Sequence, residues 1–257
     1  MGTRGERAPV EVFATSDVLM EAAAERFVRF ASGAIGVSGR FAVALSGGST
    51  PRRLYTLLAT DPYAARVDWP RVHVFWGDER CVPPGNPASN YRMAREALLD
   101  HVPVPEAKVY RIHGEDDPTE AAAAYERELR AAFATPEGPP RCAPGSRFDL
   151  VLLGMGDDGH AASLFPGTAA VRETTRWVVA HHVAAMSMWR ITLTPLVINA
   201  AAEVAFLVSG LEKAAILRKV IEGPFGPDKL PAQVVAPRDG RLHWLVDATA
   251  ARHLQRS

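Results

Sequence analysis

The stretch FDLVLLGMGDDGHAASLFPG, residues 148–167, decides the fold and carries the densest chemistry of the chain. Its opening, FDLVLL, is apolar apart from Asp149 and ends on a glycine, which predicts a short strand buried on both faces, as in a parallel sheet. The next six residues, GMGDDG, match the GxGxxG pattern of dinucleotide binding. Two features argue against that function. Asp157 and Asp158 would face a pyrophosphate with like charge, and Pro166 and Gly167 interrupt the long helix the pattern requires. The glycines instead permit a sharp turn that presents Asp157, Asp158 and His160 together. Imidazole titrates near neutrality, and a neighbouring carboxylate both orients it and stabilises its protonated form, so His160 is the expected acid/base residue. His181 and His182 lack such neighbours in sequence and are expected to be structural.

Working outward, the same strand-to-loop pattern recurs. FAVAL (residues 41–45) passes through SGGSTP into a helical stretch at residues 52–59, and VHVFW (72–76) runs into GDER, a Pro/Asn-rich loop and a helix at 88–99. A helix with period-3.6 apolar residues is expected at 17–30, with Ser16 as its N-cap. A weak strand is expected at 109–112, an alanine-rich helix at 119–133, and a surface loop at 135–147. The last third alternates again through TRWVVA, RITLT, a short helix to Ala202, EVAFLVS, LEKAAILRKVIEG and RLHWLV. Alternating buried strands and helices predict one α/β domain over residues 1–257, Rossmann-like, with a mainly parallel sheet and helices on both faces. Residues 1–9 are expected to be flexible. In such sheets ligands bind beyond the carboxyl ends of the strands, which directs the search to the loops after Leu45, Trp76, Leu153 and Ser209.

In SGGSTP, Gly47, Gly48, Ser49 and Thr50 precede a helix-starting proline, so free N–H groups and the positive helix end can converge on an anion. An N-capped helix would use the same residues. The lysine of a P-loop is missing. GDER sets Asp78 and Arg80 at a strand's end, where a solvated charge cluster is the alternative, and Cys81 beside it reads as an ordinary small residue. In SGLEK, Lys213 falls on the first turn of a helix, where a cation is unfavourable unless an anion is near. Arg190, which opens RITLT, is a second candidate cation.

Lysine plus arginine equals aspartate plus glutamate at 29 each, so no net field attracts nucleic acid or an anionic membrane. Cys81 and Cys142 form no CxxC pair and no zinc spacing, which suggests neither a disulfide framework nor a metal. The opening MGTRGERAPVEVF has no secretory apolar run, and no window approaches a membrane span, so a soluble cytoplasmic protein is expected.

Taken in order, SGGSTP, GDER with SNY (residues 89–91), GMGDDGHAASLFPG, RITLT and SGLEKA resemble the 6-phosphogluconolactonase family over residues 41–246. The resemblance implies a Rossmann-like fold shared with glucosamine-6-phosphate deaminases and ribose-5-phosphate isomerases. It also implies hydrolysis of 6-phospho-D-glucono-1,5-lactone to 6-phosphogluconate, the second step of the oxidative pentose phosphate pathway. No cofactor or metal is implied, and the expected partner is a small sugar phosphate lactone bound by a monomer, with no nucleic acid and no membrane. By matching motif, Gly47, Gly48, Ser49, Thr50, Asp78, Arg80, Asn90, Asp158, Arg190 and Lys213 would bind substrate, with His160 as the base and Asp157 orienting its ring. The phosphate would sit on the residue 47–50 amides, helped by Lys213 and one or both of Arg80 and Arg190. Two departures stand out: Ala161 replaces a frequent Thr, and MSMW (186–189) replaces prolines often found before RITLT. A glucosamine-6-phosphate deaminase is the competing enzyme, but its histidine loop typically continues toward Asn-Glu-Pro, whereas this chain has Phe165 before Pro166. A sugar-phosphate sensor is the competing binding protein. No helix-turn-helix segment precedes Phe41 in this sequence, and the chain is not basic.

Overall fold

The computed structural model describes residues 8–134, 138 and 142–255. In chain order these form β1 (Val10–Phe13), α1 (Ser16–Ser38), β2 (Phe41–Leu45), α2 (Ser49–Leu58), β3 (Val72–Trp76), β4 (Asp78–Arg80), α3 (Asn90–Ala97), α4 (Pro118–Ala132) and β5 (Leu150–Leu153). There follow β6 (Val178–Val183), β7 (Met188–Leu193), α5 (Pro195–Ile198), β8 (Glu203–Val208), α6 (Ala214–Glu222) and β9 (Arg241–Asp247), with short helical turns between them. Six strands make one parallel sheet in the order β1-β9-β8-β5-β2-β3. Every residue of β2, β5 and β8 is buried, so both faces of its centre are covered, which is why these strands read as unbroken apolar runs. Large rings fill the interior: Phe75 meets Phe148 edge-on, and Phe206 stacks on Trp244. The apolar side chains join in a single cluster.

From β2 the chain moves outward to β3, then returns to the other side of β2 as β5 and continues outward to β8 and β9. The strand order therefore reverses between β2 and β5, and a crevice is expected beyond their carboxyl ends. A second, antiparallel sheet, β4-β7-β6, closes over that end. Gly77 links the two sheets, donating its N–H to Leu45 O and accepting from Leu193 N, both at 2.8 Å.

Several expectations change. The sheet expected to be mainly parallel is wholly parallel, but RITLT and TRWVVA contribute to the separate antiparallel hairpin rather than to it. The expected strand at 109–112 reduces to one bridge, Val74 to Val109. The first helix runs on to Ser38, where Gly39 ends it at φ 75°, and its N-cap is Thr15, not Ser16, with Thr15 Oγ1 accepting from Val18 N. The flexibility expected for residues 1–9 lies largely outside the described residues, as does much of the loop expected at 135–147. No described helix is long and apolar enough to cross a membrane.

Candidate active site

A cleft of about 240 Å³ opens beyond β2 and β5. Gly47, Gly48, Ser49, Thr50, Asp78, Arg80, Asn90, His160, Arg190 and Lys213 all line it, although the sequence scatters them over more than 160 positions. Asp157 and Asp158 are not part of this lining but bond to it, Asp158 to His160 and Asp157 to Lys213.

The glycine loop leaves β2 with Gly48 at φ 109°, and no side chain caps the helix that follows. This separates the two sequence alternatives: Ser49 and Thr50 are not spent as caps, and the first amides of α2 remain open to an anion. The Asn90 amide packs so closely on Gly47 that a Cβ there would fall 1.9 Å from its Oδ1. Asn90 Nδ2 donates to Asp78 O and Oδ1, and Ser163 Oγ donates to Asp78 Oδ2 at 2.5 Å. Asp78 and Asn90 thus tie the loops after β2, β3 and β5 together, with most of their polar atoms engaged in that task.

Beside them lies a concentration of positive charge. Arg80 and Arg190 are direct partners across the antiparallel β4–β7 ladder, so their side chains share a face; His181 is the next partner on β6. Like charges directly opposite destabilise a sheet unless something neutralises them. Arg190 is buried, and burial together with the Arg80 charge lowers its pKa. Its Nη2 donates to Met186 Sδ, and Nε of both arginines is buried without a partner among the described residues. A buried and a half-buried guanidinium, each with an unused Nε and neither paired to a carboxylate among the described residues, form an arrangement that can receive an anion. Lys213 comes in from the turn ahead of α6, and its Nζ donates to Asp157 Oδ1 at 2.5 Å.

Asp157 was expected to orient His160, and here the structure corrects the sequence reading. Asp158 Oδ1 lies 2.6 Å from His160 Nδ1 and also accepts from His160 N at 3.0 Å, while Asp157 turns outward to Lys213. A carboxylate two residues before its partner folds back over the turn and reaches both groups. Burial raises the Asp158 pKa, but the bond to the imidazole and its charge outweigh this and hold the carboxyl below its ordinary range. With Nδ1 committed, no described residue bonds Nε2. The ring lies on Gly156, where a Cβ would sit 2.0 Å from Nδ1, and against Phe165, with centroids 4.2 Å apart.

Sequence reasoning left out Ser46, Ser163, Phe165 and Met186, which also line the cleft. Ser163 and Phe165 stand in the quoted SLFPG motif, but nothing local shows that they meet Asp78 and His160. His181, expected to be structural, bonds Ser163 O through Nε2 and so braces the histidine loop. Burial, and then the charge of Glu79, push the Cys81 thiol up to about 11, in keeping with an unreactive small residue. No group of three or more His, Cys, Asp or Glu side chains among the described residues is arranged to hold a metal ion.

Residues 14–244 match the family described as glucosamine-6-phosphate isomerases/6-phosphogluconolactonase. A 6-phosphogluconolactonase of Nostoc sp. is 39% identical over 248 residues, 95% of this chain and 98% of that one. The solved 6-phosphogluconolactonase of Trypanosoma cruzi superposes with a TM-score of 0.85 at 30% identity, covering 98% of this chain and 99% of that one. A monomeric glucosamine-6-phosphate deaminase, 20% identical with a TM-score of 0.77 over 95% of this chain and 99% of that one, shares the fold. Matched along nearly its whole length in sequence and in structure, the chain belongs to the glucosamine-6-phosphate isomerase/6-phosphogluconolactonase family.

Proposed function

We propose that the chain hydrolyses 6-phospho-D-glucono-1,5-lactone to 6-phospho-D-gluconate, the second step of the oxidative pentose phosphate pathway. One observation carries this reading: a carboxylate-held imidazole and a pair of anion-seeking guanidiniums share one cleft. The relatives named above, matched almost end to end, support it. The substrate phosphate sits on the residue 47–50 amides and on Arg80, Arg190 and Lys213, the last exchanging Asp157 for the phosphate. The lactone carbonyl then lies near His160. Nε2 takes a proton from water, the hydroxide adds to C1, and N–H groups or a cation of the cleft stabilise the oxyanion. The bond from C1 to the ring oxygen breaks as protonated His160 returns its proton to that oxygen. Water is the only co-reactant, so no cofactor is needed. The enzyme so proposed works in the cytoplasm as a monomer.

Phe165 decides between the two enzyme readings. Its ring packs against His160 and stands at the sequence position before Pro166 where the deaminase pattern has a glutamate. The experiment is to follow freshly made 6-phosphogluconolactone by NMR with and without the protein, since the lactone also opens spontaneously. Acceleration of ring opening is expected. Its absence overturns the proposal, and ammonia release from glucosamine 6-phosphate would return the deaminase.

A further inference from the structure

The parallel sheet comes apart at the cleft end of β2, and a phenol sits in the gap. On the β3 side, Leu45 O still accepts from Gly77 N. On the β5 side the register stops at Ala44 and Val151. Peptide groups of successive residues alternate between the two edges of a strand, so Ser46, next after Leu45, aims its N–H and C=O toward β5. β5 does not take them. Ser46 N donates to the Tyr55 hydroxyl at 2.9 Å, and that hydroxyl donates back to Ser46 O at 2.9 Å. Ser46 is 4% exposed and Tyr55 0%, so bulk water cannot replace either bond.

We infer that the Tyr55 hydroxyl is a positioning group for the phosphate cradle. It stands in for a β5 peptide, keeps β2 and β5 from zipping together past Ala44, and fixes the direction in which residues 47–50 leave the strand. A phenol suits this task because one oxygen both donates and accepts, and the ring has few torsions to lose. The neighbouring strand β3 carries a similar cap, there on the outer edge of the sheet rather than between two strands. Trp76 N donates to the Tyr125 hydroxyl at 2.8 Å, and that hydroxyl donates to Trp76 O at 3.0 Å, immediately before the turn to Asp78 and Arg80. Two strands that end at the cleft are thus each closed by a tyrosine from a helix, which argues against a packing accident. Tyr55 touches no catalytic group: the imidazole is held by Asp158 and Gly156 on the β5 loop. Its effect falls on binding of the phosphate, a role that rests on the proposal that the residue 47–50 amides hold that group.

Tyr55→Phe keeps the ring and removes both bonds. Loss of hydrogen bonds to a buried peptide is expected to raise KM for the phosphorylated lactone, and Ki for inorganic phosphate, about tenfold. With the unphosphorylated gluconolactone, kcat and KM are expected to stay within about twofold. Equal rises in KM for the two lactones, or no rise at all, would reduce Tyr55 to a structural residue and overturn the inference. Should Tyr55→Phe fail to fold, 3-fluorotyrosine at position 55 retains both bonds, and its 19F resonance is expected to move when inorganic phosphate is added; a resonance that stays fixed overturns the inference equally. The unsubstituted protein separates the two levels. If it treats both lactones alike and ignores phosphate, the cradle itself falls and Tyr55 with it. If it discriminates and Tyr55→Phe discriminates equally well, only the positioning role falls.

Discussion

At His160, two adjacent aspartates have different tasks, and the difference can be measured. His160→Ala removes the proposed base and is expected to lower kcat by about 10²–10⁴. Asp158→Ala leaves the base but frees its ring, and misplacement on that scale costs about 10² in kcat. Asp157→Ala acts through Lys213 instead and is expected to appear mainly in KM for the phosphorylated lactone. Steady-state kinetics of the three variants check the assignment, and a greater kcat loss from Asp157→Ala than from Asp158→Ala would restore the sequence expectation. The sequence makes the pair and the histidine plain, because glycines and carboxylates cluster around an imidazole at a strand's end. It cannot say which carboxylate turns inward. That depends on the path of the turn and on Lys213, 56 residues away, which draws Asp157 out.

Elements explain why the imidazole has one seat. The β5 loop presses the His160 ring onto the backbone of Gly156, leaving no space for a Cβ. Gly156→Ala is therefore expected to displace the ring and lower kcat about tenfold or more, whereas Gly154→Ala, whose Cβ would meet nothing nearer than Gly47 O at 4.0 Å, should lose less. Equal kcat values for these two variants would show that the seat is not rigid. Most of the parallel strands were legible as elements because burial on both faces leaves a local signature, a run such as FAVAL or LVLL, but β1, an edge strand with no buried residue, was not. The antiparallel sheet was not. β4 is three residues long, β6 shows no clean alternation, with Val179 to His181 half-buried and His182 exposed, and the pairing of β4 with β7 joins Arg80 to Arg190, 110 positions apart. Hence the sequence offers Arg80 and Arg190 as separate candidate cations, and only the ladder shows them facing each other.

Across the whole molecule, the sheet is tied at one end and open at the other. At the amino end, Asp149 gathers three strands: its N–H donates to Ala42 O, its Oδ2 accepts from Ala42 N, and its carbonyl accepts from Glu203 N. Burial pushes its carboxyl up to about 6, against the Ala42 bond and the charges of Arg40 and Arg147. The unfolded chain would titrate this group near 3.9. Between about 4 and 6 the folded state therefore holds the extra proton, so stability contributed here is present at low pH and lost as pH rises through about 6. Above that, folding carries the cost of a buried carboxylate, of the order of 1–3 kcal/mol. Asp149→Asn keeps an acceptor for Ala42 N and removes the charge. It is expected to be more stable than the parent at pH 8 by about that amount, with the difference closing as pH falls to 4. Carboxylates held low elsewhere, such as Glu173 at about 2 through its bonds to residues 174–176 despite the opposing effect of burial, lose their stabilisation in acid, but they do so equally in both proteins. Urea midpoints of parent and variant across that range isolate the Asp149 contribution. Parallel curves would mean that the buried carboxyl carries no such cost and that the tie at the amino end is neutral to pH.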